Sequence, residues 1–176
     1  LKDIKYADGT YIAINVDGDS ALSTDGENFT ASTNVAVSGD APGGFYTSTT
    51  SNTSAYFLAR FTGTIKKYNP SSEQWSTITL PSVAGNYSHL ATDPLTDTSI
   101  AIWGNQNGWA KTNSDGTTQS DGTFSSIAGG SVPAGIAYGN GIWIVLAGDG
   151  DVAYSTDDGA NWTETLNVIT GNASWG

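Results

Sequence analysis

Residues 3–14 of the chain read DIKYADGTYIAI, and residues 135–146 read GIAYGNGIWIVL. The two stretches align without a gap at an offset of 132 residues. The same offset places the DGD of residues 17–19 on the DGD of residues 149–151, and the STD of residues 23–25 on the STD of residues 155–157. Internal similarity at a fixed spacing is typical of proteins built from stacked copies of one small unit. The sequence therefore predicts a repeat architecture.

Two further units are expected between these copies, because 132 is three times 44 and apolar runs recur at residues 55–61 and 99–103. We expect four units in one domain or ring segment, over residues 1–43, 44–87, 88–133 and 134–176. Two arrangements fit these units. Either the four units close into a ring by themselves, or they are part of a larger ring that more chain or another copy completes. Because the chain begins at Leu1 rather than Met, we expect it to be processed or to be a piece of a longer protein.

Each unit is predicted to contain four short antiparallel strands. The second strand is nearly all apolar, at residues 11–16, 56–61, 100–103 and 143–146, which is typical of a strand covered on both faces. The Asp-Gly-Asp and Thr-Gly-Thr sequences after the second strand predict hairpin turns in which Gly adopts a positive φ. The fourth strand is predicted to follow an aromatic residue: Phe29, Trp75, Phe124 or Trp162. No stretch has a helical period, so we predict an all-β chain, a β-propeller of four-stranded antiparallel blades that stack on one another.

Residues 155–162 match the pattern S-x-D-x-G-x-x-W, and residues 23–29 match a shorter version that ends in Phe. The pattern residues are Ser155, Asp157, Gly159 and Trp162, and then Ser23, Asp25, Gly26 and Phe29. The pattern resembles the Asp-box, or BNR, repeat of sialidase-like and related propellers. We expect a structural role, in which the carboxylate accepts N–H bonds across a tight turn, Gly takes the left-handed conformation and the ring packs over the hairpin.

The composition excludes several classes of function. The chain has no Cys, a single His and a net charge of −11 at pH 7, so it cannot build a thiolate zinc site, a cysteine nucleophile or a histidine metal cluster. The negative field repels nucleic-acid phosphates and anionic membrane surfaces. No apolar run approaches the roughly 20 residues that span a bilayer. We therefore predict no cofactor, no bound metal, no nucleic-acid partner and no membrane insertion.

The aspartates at positions 17, 19, 149 and 151 invite a calcium-site interpretation, because carboxylates two residues apart can wrap a hard cation. The second unit, however, has Thr62 and Thr64 at the equivalent positions. Plain hairpin turns are therefore the favoured interpretation.

Catalytic constellations are scarce in the sequence. The sialidases that share the Asp-box clamp their substrate with three arginines, whereas this chain has only Arg60, so the resemblance does not extend to sialidase activity. Glu73 and Glu164 are glycosidase candidates by elimination only. His89 is expected to be a packed or surface polar residue. We predict that the chain has no catalytic residues of its own.

The candidate ligand-binding residues are aromatic. Aromatic faces near hydroxyl and amide side chains can bind sugars, and this chain has more large aromatic residues than small blades need for their cores. The alternative is that these rings fill the space between blades. The candidates are Trp103, Trp109, Trp143, Tyr46 and Tyr87, with Trp175 as a further aromatic residue.

We expect a non-enzymatic structural or binding module that is extracellular or lies on a virion surface, such as a tail or fibre. Its expected partners are other copies or further chain of the same protein, and a cell-surface glycan. Acidic, cysteine-free β repeats rich in Thr, Ser, Gly and Asn resemble those of phage tail and bacterial surface proteins. Two alternatives remain: the propeller part of a glycosidase-class enzyme with catalytic residues elsewhere, and an Asp-box assembly factor, which the net charge of −11 disfavours.

Overall fold

A computed structural model describes residues 2–15, 17–32, 45–59, 63–80, 87–103, 107–113, 115–125, 127 and 132–168. These residues form sixteen short strands and no helix, as the sequence predicts. None of the described residues belongs to a helix that could cross a membrane. The strands are β1 Asp3–Ala7, β2 Thr10–Ile14, β3 Ser20–Ser23, β4 Thr30–Ala31, β5 Phe45–Thr50, β6 Ala55–Ala59, β7 Thr64–Asn69, β8 Gln74–Thr79, β9 Tyr87–Thr92, β10 Ser99–Trp103, β11 Gly108–Thr112, β12 Thr118–Thr123, β13 Pro133–Gly139, β14 Ile142–Ala147, β15 Val152–Ser155 and β16 Thr163–Thr165.

The strands form four separate antiparallel sheets, each made of four consecutive strands paired in chain order. We number these sheets first to fourth along the chain. The predicted hairpin turns are present, and Gly18 and Gly150 have φ values of 85° and 93° there. Each sheet begins within two residues of the start of a predicted unit. The predicted all-β fold of four-stranded units is therefore confirmed.

The sheets stack side by side through their first strands. Strand β1 contacts β5, β5 contacts β9, and β9 contacts β13. A separate hydrophobic cluster fills each of the three spaces between neighbouring sheets. The space between the second and third sheets holds Tyr56, Leu58 and Trp103, and the space between the third and fourth holds Ile102 and Trp143, among others. Most of the core therefore lies between sheets rather than inside any one of them.

Two predictions about the strands are wrong in detail: where the fourth strand begins, and whether the second strand is covered on both faces. The predicted fourth strands begin after the aromatic residue in the first and fourth sheets, but Trp75 lies within β8, and Phe124 follows β12 rather than preceding it. The second strands are covered on both faces only in the two middle sheets. In β14, Ile144 and Leu146 are each 41% exposed, because none of the described residues forms a further sheet against that face.

Two tryptophans of the third sheet lie over glycines on the neighbouring strand. Trp103 pairs with Gly108, and Trp109 pairs with Gly122. A Cβ atom added at Gly108 would lie 2.0 Å from the indole ring of Trp103, and one at Gly122 would lie 2.9 Å from that of Trp109. The missing side chains thus provide the space into which the rings pack. Because Trp103 is only 1% exposed, the ring has no room to move away.

We therefore expect Gly108→Ala to lower the free energy of unfolding by about 1–3 kcal/mol, the usual cost of overpacking a core. Gly139→Ala is the matched control, since a Cβ there meets no atom within 4 Å and the backbone needs no positive φ. Chemical denaturation monitored by tryptophan fluorescence measures both variants. Equal stability of the two variants would contradict the packing of Trp103 on Gly108.

Candidate functional site

The turn between β15 and β16 is held by a serine and an aspartate side chain. Ser155 Oγ accepts the N–H of Gly159 at 2.9 Å and donates to Asp157 Oδ1 at 2.8 Å. The two carboxylate oxygens of Asp157 accept the backbone N–H and the side-chain Nδ2 of Asn161, at 2.9 and 2.7 Å. These bonds, chiefly the one from the Asn161 side chain, lower the pKa of Asp157 to about 2. Gly159 has the expected positive φ of 78°.

The turn between β3 and β4 repeats this arrangement. Ser23 Oγ accepts the N–H of Gly26 at 2.9 Å and donates to Asp25 Oδ1 at 2.9 Å. Asn28 donates to the Asp25 carboxylate from both its backbone and its side chain, at 2.8 Å each. These bonds from Asn28 hold the pKa of Asp25 well below its usual range. In both turns the predicted carboxylate hydrogen bonds are present, so these aspartates stabilise local structure.

The aromatic residue after each turn meets a different environment. Trp162 is half-buried against the third sheet, with its ring centroid 5.2 Å from that of Phe124 and 6.0 Å from that of Trp109. Phe29 is 41% exposed at the corresponding place on the first sheet. Trp162 therefore packs against the preceding sheet, whereas Phe29, which has no preceding sheet among the described residues, stays exposed.

Four of the aromatic candidates for ligand binding are buried. Trp103, Trp109, Trp143 and Tyr87 are between 0% and 8% exposed and fill the spaces between sheets. Their faces cannot serve as open platforms for a sugar, and the alternative of packing between blades fits the four described rings. The side chain of Tyr46 and the whole of Trp175 lie outside the described residues.

The acidic residues that remained as catalytic candidates lie apart from one another. Glu164 bridges two sheets, since its carboxylate accepts the N–H groups of Ser125 and Ile127 at 2.8 Å each. Glu73 is exposed in the turn before β8. His89 is half-buried on β9, and burial lowers the pKa of its imidazole. Arg60 lies outside the described residues.

The hairpins considered as calcium sites are hydrogen-bonded turns. Asn15 Oδ1 accepts the N–H groups of Asp17 and Asp19 at 2.9 and 2.8 Å. In the fourth sheet Asp149 accepts the N–H of Asp151, and Asp151 accepts that of Asn167 at 2.7 Å. Across the described residues, no group of three or more acidic or histidine side chains could hold a metal ion.

A cleft of about 380 Å³ lies where the turn ends of the third and fourth sheets meet. Asp93 and Thr96 line it from the third sheet, and the fourth sheet contributes Tyr138, Gly141, Trp143, Thr156, Asp157 and Asp158. Asp157 and Trp143 were singled out in the sequence, but Asp93 and Asp158 were not, because no motif connects residues that far apart.

The carboxylates of this cleft are fixed by hydrogen bonds. Asp158 accepts Lys111 Nζ at 2.7 Å and Trp143 Nε1 at 3.3 Å. Burial raises the pKa of Asp93, but hydrogen bonds from Leu95 and Thr96 outweigh it and leave the pKa below its ordinary value. The cleft therefore presents carboxylates in a preset geometry beside the half-buried ring of Tyr138. Such groups can accept hydrogen bonds from ligand hydroxyls or attract a cationic group.

Solved structures with the same arrangement of sheets are numerous. A streptogramin B lyase superposes with a TM-score of 0.68 at 14% identity, over 89% of this chain and 50% of the other. The fold is a β-propeller. YCF48 from Cyanidioschyzon merolae gives a TM-score of 0.68 at 13% identity, over 97% and 60% of the two chains. The Pan2 WD40 domain of Neurospora crassa gives 0.62 at 11% identity, over 87% and 45%.

These likenesses concern the fold alone, because the proteins are 11–14% identical to this chain and differ in function. The chain spans about half the length of the propellers that it matches. No protein-family model matches the sequence, and no curated protein sequence matches it. Any function must therefore be argued from this chain's own residues.

We expect Asp157→Ala to lower the thermal unfolding midpoint at neutral pH, because the turn loses the acceptor of its Asn161 bonds. The pKa of Asp157 is lowered from 3.8 to about 2 in the folded chain, so the stabilisation is present above pH 3.8 and is lost as the pH falls through about 2. The difference from wild type should therefore shrink between pH 7 and pH 2.

Asp17→Ala is the control, since it removes an exposed aspartate from another turn. Differential scanning calorimetry at both pH values makes the measurement. An equal effect of Asp157→Ala at pH 7 and pH 2 would contradict a role for the ionised carboxylate.

Proposed function

We propose that the chain is a non-enzymatic β-propeller module of a virion tail or fibre, or of a cell surface, and that it binds glycan in the cleft between its third and fourth sheets. The observation that carries this proposal is the cleft itself, which combines fixed carboxylates with the Tyr138 ring and the Thr156 hydroxyl. Sugars need acceptors for their hydroxyl groups and an aromatic surface for their C–H faces. The volume of about 380 Å³ suits one or two sugar residues.

The ionisation of the cleft aspartates supports glycan binding rather than glycoside hydrolysis. Glycoside hydrolysis needs two carboxyl groups that face each other across the scissile bond, one of them able to give up a proton. In this cleft the pKa values of Asp93 and Asp157 are both lowered, so these carboxylates are poor proton donors at neutral pH. The two Ser–Asp turns also fit the structural role of Asp-box repeats, to which we assign them.

The cell-surface setting rests on the composition of the chain. Only 13% of the residues are charged, and 17 acidic residues oppose six basic ones. Strongly acidic surfaces stay soluble and do not bind nucleic acid or anionic membranes. Such a surface is suited to a scaffold that contacts neutral sugars or its own copies.

Thr156→Arg tests the cleft directly. Thr156 is exposed in the Ser155–Asp157 turn, and the long side chain that replaces it is drawn into the cleft by the carboxylates of Asp93 and Asp158. Thr24→Arg is the matched control, because Thr24 has the same place in the first unit's turn, 132 residues earlier, and is exposed away from the cleft. The two variants share the same change in charge.

The measurement is retention of the protein on a panel of immobilised bacterial cell-surface polysaccharides, with assay of the eluate for released sugar. We expect at least one polysaccharide to retain the wild type and Thr24→Arg but not Thr156→Arg, with no product. Retention of Thr156→Arg to the same extent as the wild type, or equal loss of retention in both variants, would overturn binding in the cleft. Released oligosaccharide would overturn the non-enzymatic proposal, and no retention on any polysaccharide would overturn glycan binding.

A further inference from the structure

The outer face of the fourth sheet is apolar, and among the described residues no sheet packs against it. Its central strand exposes Ile144 and Leu146, each 41% exposed, and the neighbouring strand places Tyr154, 39% exposed, opposite Ile144. Val152, opposite Leu146, extends the same face. We call these four residues the trailing face. An exposed contiguous apolar surface of this kind marks an interaction site.

The repeat identifies what covers such a face. Ile144 and Leu146 correspond to Ile12 and Ile14 of the first sheet, 132 residues earlier. Those two residues are 0% exposed, because the second sheet packs on them. The corresponding positions of the second and third sheets are also buried against the next sheet. In each of the three interfaces that the structure shows, this face is covered by the following four-stranded sheet.

The first sheet carries the opposite half of such an interface. Ile4 and Tyr6 are 43% and 55% exposed, and Tyr6 stacks on Tyr11 with ring centroids 4.7 Å apart. The corresponding pair in the fourth sheet, Tyr138 and Trp143, stacks at 4.6 Å and packs against the third sheet. We call Ile4, Tyr6 and Tyr11 the leading face. In the fourth sheet the residues at these repeat positions pack against the preceding sheet. The leading face therefore has the position in the repeat that contacts the outer face of a preceding sheet.

We propose that the trailing face of one copy of this chain docks on the leading face of a second copy, head to tail. A second copy is the occupant because its first sheet presents the matching repeat position, and Ile4 and Tyr6 are exposed there. Such a contact is heterologous, and it either closes into a ring or continues as an open array. Two copies supply eight sheets, within the range of four to eight found in closed propellers. The predicted product is therefore a closed dimer.

Sedimentation velocity measures the assembly of the 176-residue chain. We expect the wild type at twice 18.2 kDa, and Ile144→Lys and Tyr6→Lys each at 18.2 kDa, because a buried unpaired charge opposes docking from either side. Leu95→Lys is the matched control, since Leu95 is an apolar residue 82% exposed in the β9–β10 turn, on neither face. It should assemble as the wild type does. Far-UV circular dichroism checks that each variant is folded.

Mixing the two monomeric variants distinguishes head-to-tail docking from other pairings. Ile144→Lys keeps an intact leading face and Tyr6→Lys keeps an intact trailing face, so the mixture has one unmodified interface and should regain the dimer mass. Larger assemblies with the same response to the variants also support the docking surface. A monomeric wild type, a dimer that Leu95→Lys disrupts equally, or a mixture that stays at 18.2 kDa would overturn the proposal. None of these results depends on glycan binding.

Discussion

The fold depends on covering both faces of each four-stranded sheet. A single sheet of this size leaves one or two apolar faces in water, and only a neighbouring sheet removes them. The second and third sheets show the result, since all of β10 is buried and its even and odd positions face different neighbours. The apolar runs, the tryptophans over glycines and the carboxylate bridge from Glu164 all serve contacts between sheets.

This constraint also explains why so few side chains remain for chemistry. The large aromatic residues are used between the sheets, and Asp25, Asp157 and Glu164 are used to close turns or to join sheets. The side chains that could still contact a ligand or a partner lie in two places. The cleft at the junction of the third and fourth sheets collects carboxylates from two units, and the outer faces of the first and fourth sheets keep their apolar residues exposed.

The repeat and its strands could be predicted from the sequence because period and turn residues are local signals. The 132-residue offset located both Ser–Asp turns and the second strands of the first and fourth sheets, and apolar runs located those of the two middle sheets. The sequence left open whether Trp103 and Trp109 are buried or exposed, because this depends on which strand positions lie opposite Gly108 and Gly122. The cleft was missed for the same reason, since Asp93 and Asp158 come together only through the stacking of two sheets.

Hydrogen–deuterium exchange of the dilute, monomeric chain tests most directly whether stacking between sheets carries the stability. The strands β2, β6, β10 and β14 are matched, because each is paired on both edges within its own sheet. They differ in whether a neighbouring sheet covers one face or two. We expect slower exchange in β6 and β10 than in β2 and β14, since opening the middle sheets exposes two interfaces. Equal protection in all four strands, or the greatest protection in β14, would contradict it.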